Sequence, residues 1–282
     1  MKRRKDVLLL LGTVWMVGLV GLAIVGSVAL PDTLEMVKGL PTHSPPGAGG
    51  HVLGTDELGR DLFARLARAG VISLSIGLVV QLIVTSLGVL VGVLGEFGPK
   101  WVAVPLLRLT DAMFAFPDIL LAILIVGVLN DAPSPPFLAD LKGVLPVVVA
   151  LSVAGWPSTA RIVKTQCASL RDREFVVSAR AAGASVPYLV MKHILPQLTG
   201  LLLAISVVEL SGVILSESTL SFLGIGVRPP TPTWGGMINA ARQQLESHPR
   251  ELVWPCLALT LTIVALNFIG DGLRDRFDPK RR

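Results

Sequence analysis

The chain has 282 residues, of which 52% are hydrophobic and only 16% charged, with a formal net charge of +5 and a mean hydropathy of +0.68. Soluble domains average roughly 25% charged residues, so an ordinary soluble protein is excluded, and the apolar residues fall in runs long enough to cross a bilayer. Two cysteines, Cys167 in a polar stretch and Cys256 in the last apolar run, make no disulfide framework, and four scattered histidines make no metal cluster.

Lys2, Arg3, Arg4 and Lys5 open the chain, and residues 7–30 follow without a charge. As a helix rising about 1.5 Å per residue, that run spans about 36 Å. A cleavable signal peptide is the competing reading, since a basic start before an apolar run fits both. Its apolar core is shorter, about 7–15 residues. Residues 31–68 form a polar connection rich in proline and glycine. A second span is expected at 71–94, interrupted only by Gln81 and by small residues that permit close helix packing. A turn at 95–100 leads to a third span at 102–129, which holds Arg108, Asp111, Pro117 and Asp118 near its start. Either that span begins with a half-exposed interfacial turn or Pro117 breaks it. A proline-rich connection occupies 130–143. The fourth span is expected at 144–160, the fifth at 198–225 and the sixth at 252–269. A polar segment at 227–251, with Pro229, Pro230, Pro232 and Trp234, separates the last two.

Six spans give an all-α polytopic membrane protein with both termini on one side. Seventeen Lys and Arg residues fall on that side and eight on the other. Positive charge concentrates on the cytoplasmic face of membrane proteins. The expectation is a multi-pass protein of the cytoplasmic (inner) membrane, with both termini and the loop between the fourth and fifth spans inside the cell.

That loop, RDREFVVSARAAGASVPYLVMKHILPQ (residues 171–197), is the longest strongly polar stretch with helical character. Ser169-Leu-Arg-Asp172 has capping-box spacing and predicts a helix start. Phe175, Ala179, Ala182 and Val186 recur at helical spacing as one apolar stripe, with Arg173, Glu174, Ser178 and Arg180 largely off it. Gly183 suits a left-handed helix end. Ser185 suits the cap of a second helix with Pro187 in its first turn, and Pro196 lies at the junction with the next apolar run. The segment reads as two short helices with a glycine elbow. Docking into another protein's groove and a plain solvated connection both fit that spacing.

No phosphate-binding loop is present: GEFGPK at 95–100 lacks the G-x-x-x-x-G-K-[ST] spacing and the hydroxyl for magnesium. The chain is not expected to be an enzyme or to bind a metal. Ionisable residues inside spans are costly and mark functional candidates. Asp111, Glu209 and Glu217 are the translocation or gate candidates, while Asp271 falls at the cytoplasmic edge. Glu209, in the middle third of its span, either lines a pathway or hydrogen-bonds a neighbouring helix. Glu217 lies nearer the outer end, where packing or gating suits it better than substrate contact.

Several segments in order resemble the permease subunits of binding-protein-dependent ABC importers, and within them the C-type subunit of the dipeptide/oligopeptide/nickel branch. They are HVLGTDELGRDLFARL (51–66), FPDILLAILIVGVL (116–129), WPSTARIVKTQCASLRDREFVVSARAAGAS (156–185), HILPQ (193–197), ESTLSFLGIGVRPPTPTWGGMI (217–238) and DGLRDRFDP (271–279). The resemblance covers most of the chain. The family's cytoplasmic signature has a Glu-Ala-Ala opening, a glycine and a later Ile/Leu-Pro pair. Aligned on Gly183, Ala179 matches the second alanine and Leu195-Pro196 closes the pattern. Val177 and Ser178 stand where Glu and the first Ala are usual, and Glu174 is not their equivalent by spacing.

The resemblance implies a type I ABC importer permease fold. Residues 1–69 would form the N-terminal span and an extracytoplasmic segment. Residues 70–282 would form the permease domain, with a coupling loop at about 161–196. It further implies that the loop docks in a cleft of a cytoplasmic ATPase through Phe175, Ala179, Ala182, Gly183, Ala184, Ser185, Leu195 and Pro196, with Arg173, Glu174 and Arg180 in orienting rim pairs. The implied partners are a homologous permease chain, two ATPase chains or domains and an extracytoplasmic binding protein, all around a lipid bilayer and without nucleic acid. ATP and magnesium would be held by the ATPases and no cofactor by this chain. Two other functions stand beside this one: an ion-coupled secondary transporter using Asp111 and Glu209, and a passive channel or scaffold.

Overall fold

A computed structural model describes residues 2–30, 41–131 and 143–277, with side chains from Asp6 onward. Residues 31–40 of the first polar connection and most of the second lie outside these residues. So do Lys38, Lys142, Lys280, Arg281 and Arg282 of the charge bias, and the last two residues of DGLRDRFDP. Every named element among the described residues is helical.

The first helix, α1 (Lys2–Ala29), matches the expected first span. Its apolar side chains are exposed nearly all round, as suits a helix facing lipid. The second, α2 (Leu62–Phe97), begins nine residues before the span read from hydropathy. The reason is local: the Asp61 carboxylate accepts from the Ala64 N–H at 2.8 Å and starts the helix. At 36 residues it is about 54 Å long, well over the roughly 30 Å hydrocarbon core, so it projects beyond the bilayer.

The third span is broken. Helix α3 (Lys100–Phe114) and helix α4 (Asp118–Asp131) meet at 97°. Pro117 disfavours helical backbone at Phe116, and its own carbonyl accepts from Leu120 and Leu121 to begin α4. The proline-break expectation is the one observed. Counting the bent pair as one, six segments are apolar and long enough to span.

Helix α5 (Leu145–Arg171) corrects the fourth span, which does not stop at 160. It carries Cys167, expected in the polar loop, into a fully buried position. The predicted capping box does not form, because Ser169 is still inside α5 and its hydroxyl bonds back to the Gln166 carbonyl at 2.8 Å. Three short pieces follow: α6 (Glu174–Ala181), α7 (Val186–Leu189) and a π turn at Val190–Ile194 that runs into α8 (Leu195–Phe222). Helix α9 (Trp234–Gln243) was unforeseen in the polar segment; Thr233 caps it, with Oγ1 accepting from Gly236 N–H at 3.1 Å. Helix α10 (Arg250–Phe277) completes the bundle.

Helix α2 is central, with its most extensive packing against α5 and further faces on α1 and α8; α10 packs on α8 and α1. The α2–α5 contact depends on Gly88 and Gly92, one turn apart. A Cβ on Gly88 would meet Thr159 Cβ at 2.5 Å, and one on Gly92 would meet the Ala160 carbonyl oxygen at 2.7 Å. One apolar cluster joins α2, α4 and α5 around Val80, Ala122 and Val147, and another lies under Trp234. Residues 41–61 and α9 form a cap over one end of the bundle. There His43 Nδ1 pairs with Glu251 at 2.8 Å and stacks on His248 at 3.7 Å, while Asp56 holds Arg60 and Arg65 at 2.7 and 3.2 Å.

Candidate functional site

At the end of the bundle opposite the cap, α6 and α7 form the two-helix knob. The glycine elbow is as the sequence predicts. Gly183 has φ +87°, its N–H bonds to the Arg180 carbonyl, and the Ala184 N–H bonds to that of Ala179. This double bond pattern closes the helix and satisfies carbonyls that α6 leaves free. Ser185 sits at the start of α7 with Pro187 in the first turn, but its side chain makes no capping bond.

The apolar stripe needs correction. Val176 is the fully buried residue of α6, with Ala179 and Ala184 packed beside it against Val163 and Cys167 of α5 and Leu189, Ile194 and Leu198. Phe175, Ala182 and Val186 lie off that inner face and are exposed. The helix is rolled by one position because the inward β-branched residue is Val176, which hydropathy spacing alone does not separate from Phe175. The outer surface of the knob consequently presents Phe175, Val177, Val186, Tyr188 and Met191. Arg173, Glu174 and Arg180 stand exposed around it and form no ion pair among the described residues. Behind the knob, Arg171 reaches Glu96 at the end of α2 at 2.6 Å.

Pro196 explains the π turn. Its ring nitrogen has no hydrogen to complete an α turn, and the turn ahead of it widens so that the Leu195 N–H bonds to the Val190 carbonyl. Such single π turns inside helices mark sites under local constraint. Leu195 is half-buried and Pro196 exposed.

Midway along α8, Glu209 ties three helices together. Its carboxylate accepts from Gln81 Nε2 of α2 at 3.1 Å, and from Ser158 Oγ and Thr159 Oγ1 of α5 at 3.3 and 3.0 Å. Thr85 and Ser206 pair alongside at 3.0 Å. The cluster opens onto a cavity of about 260 Å³ that also reaches Asp118, Gly212 and Ser216. Both readings of Glu209 therefore hold at once: it bonds neighbouring helices and lines a space. Gln81, Thr85, Ser158 and Thr159 were missed as site residues, although Gln81 and Thr85 share a helix face four residues apart, a signal available in the sequence.

Glu217 is fully buried at the cap end of α8. Ser221 Oγ donates to it at 2.8 Å and Ser73 Oγ at 3.1 Å, and Ser73 Oγ in turn accepts from the Trp234 N–H at 3.2 Å. It fastens α2, α8 and the start of α9. Asp111 is on the surface of α3, paired with Arg161 at 3.3 Å, whose guanidinium lies 3.8 Å from the Phe114 ring centre. It borders a separate cleft of about 310 Å³ with Arg108 and Lys164. The structure does not bring Asp111 and Glu209 together. Asp271 is exposed on α10.

Comparison with known proteins decides the family. The description "Binding-protein-dependent transport system inner membrane component" matches residues 84–282. The chain belongs to this family of inner membrane transport components. As a member, it is 38% identical over 230 residues to the glutathione transport system permease protein GsiD of Escherichia coli O6:K15:H31, covering 82% of this chain and 72% of that one. It is 35% identical over 232 residues to a peptide permease protein of Brucella suis biovar 1, covering 82% and 73%. In fold, this permease subunit resembles a chain of the inward-facing MetNI methionine ABC transporter, with a TM-score of 0.60 at 16% identity over 76% of this chain and 96% of that one. The family match takes in α5, the knob, Glu209 and Glu217; α1, the 41–61 cap segment and about the first two thirds of α2, with Ser73 and Gln81, precede it.

Proposed function

We propose that the chain is one permease subunit of an ATP-driven importer that moves peptides, or a related small solute such as glutathione or nickel, by alternating access. The observation that carries this is the knob. Phe175, Val177, Val186, Tyr188 and Met191 form an exposed apolar face rimmed by Arg173, Glu174 and Arg180, and such a rimmed apolar patch is the mark of a protein interface. Its partner is an ATPase subunit, which supplies ATP, magnesium and hydrolysis. A homologous permease chain, a second ATPase and an extracytoplasmic binding protein complete the assembly. The positive-inside bias puts the knob and termini in the cytoplasm and the 41–61 cap outside. The peptide and glutathione permeases among the relatives support a peptide-like solute. Of the three acidic candidates, Glu209 is assigned to the translocation path and Glu217 to the outer closure. Asp111 shapes the α3–α5 surface.

Gly183 gives the test. An added Cβ there meets nothing within 4 Å, but φ +87° strains most side chains, so Gly183→Asn, which tolerates that conformation, is the control for backbone strain and Gly183→Trp adds bulk toward whatever docks. Gly183→Trp is expected to insert normally in the membrane and to lose most co-purifying ATPase and most ATP-dependent uptake. Normal uptake by that variant overturns the docking role.

A further inference from the structure

The cavity beside Glu209 carries carboxylates with no basic side chain opposite them. Its lining includes Glu209 and Asp118 but no Lys, Arg or His. Gln81 also lines it and is only 5% exposed. The orientation of that amide follows from its neighbours. A carboxylate only accepts, so Nε2 faces Glu209, and the same nitrogen also donates to Thr85 Oγ1 at 3.0 Å. Oε1 is thereby turned away from both, and it is buried without a hydrogen-bond partner among the described residues. Buried polar atoms are nearly always satisfied, so an orphan acceptor on a residue that lines a cavity bordered by two carboxylates points to a ligand that brings both donors and positive charge. Gln81 and Glu209 each lie near the midpoint of their helices, midway between the knob and the cap.

We infer that this cavity binds a primary ammonium group carried by the transported solute. An ammonium is a compact cation with three donors and no acceptor. It satisfies Gln81 Oε1 and is balanced by Glu209 and Asp118. Ser158, Thr159 and Gln81 Nε2 position the Glu209 carboxylate for it. The assignment rests on the importer reading for the solute's passage, while the site itself can be tested without transport.

Gly212 lines the cavity, and a Cβ there meets nothing within 4 Å, so Gly212→Cys places a thiol at the site. In the assembled transporter, its modification rates with a cationic (trimethylammonium-ethyl) and an anionic (sulfonatoethyl) methanethiosulfonate are each divided by the reagent's rate with a free thiol. Parent protein gives the background from Cys167 and Cys256. The cation is expected to be favoured about tenfold or more, and adding Glu209→Gln should bring the ratio within about threefold. Millimolar ethylammonium should slow labelling, and Gln81→Leu should remove that protection. Stronger protection by alanyl-alanine than by ethylammonium assigns a peptide amino terminus as the source; equal protection assigns the amine alone. Ser216→Cys repeats the measurement at a second lining position if Gly212→Cys fails to assemble. Equal normalised rates, or a ratio unchanged by Glu209→Gln, overturn the assignment. Charge selection without ATP-dependent uptake would instead leave the site standing and remove the importer reading.

Discussion

Glu217 shows how one buried carboxylate is made tolerable. Burial away from water disfavours a polar group unless hydrogen bonds replace those lost, and serine hydroxyls from α2 and α8 do so here. Glu217→Ala leaves Ser73 and Ser221 without that acceptor and opens a void, so it is expected to destabilise the protein by on the order of 3 kcal/mol. Glu217→Gln keeps the volume, and the hydroxyls can rotate to accept from the new amide, so its cost should be about 1 kcal/mol. Chemical unfolding in detergent ranks the two, and equal losses would contradict this account. Gly183 teaches a complementary lesson. Its role was readable because a positive φ at a helix end selects glycine, whereas Ser185 was readable in position but not in bonding, since a cap requires a hydroxyl geometry that spacing does not specify.

Among the elements, hydropathy located every span but misplaced its ends. Helices α2 and α5 continue past their apolar runs because Asp61 caps the one, while the other carries polar residues on an exposed face as far as Arg171. Pro117 was legible as a break because proline acts on the backbone regardless of surroundings. The roll of α6 was not, since choosing between Phe175 and Val176 as the inward residue depends on what α5 offers across the interface. Likewise, the partners of Glu209 come from three helices, and no local pattern announces which faces meet. The α2–α5 contact gives a prediction at this scale. Gly92→Val adds a side chain where a Cβ already meets a backbone oxygen at 2.7 Å, and should cost roughly 1–3 kcal/mol through overpacking. It should do so while Gly127→Val, at a position where a Cβ meets nothing within 4 Å, leaves stability within about 0.5 kcal/mol. Detergent unfolding curves of the two variants check it.

For the whole molecule, the cap and the knob lie at opposite ends of the bundle, and the proposed orientation has a direct measurement. Ser247→Cys, beside the His43–His248 stack, should react with an impermeant maleimide in intact cells. Ser178→Cys, on the exposed side of α6, should react only after permeabilisation. The reverse pattern would invert the topology and remove the ATPase docking role.

The π turn lets α7 and α8 run as one helical segment from Val186 to Phe222, 37 residues and about 55 Å. Val186, Tyr188 and Met191 of the proposed docking face, Glu209 and Glu217 are therefore stations on a single rod. A rod tilted by about 10° about its centre carries its two ends roughly 5 Å in opposite directions. On the proposed mechanism this works as a seesaw: the displacement that opens the space near the knob tightens the packing around Glu217, so the two ends of the path are kept from opening together by the stiffness of one helix.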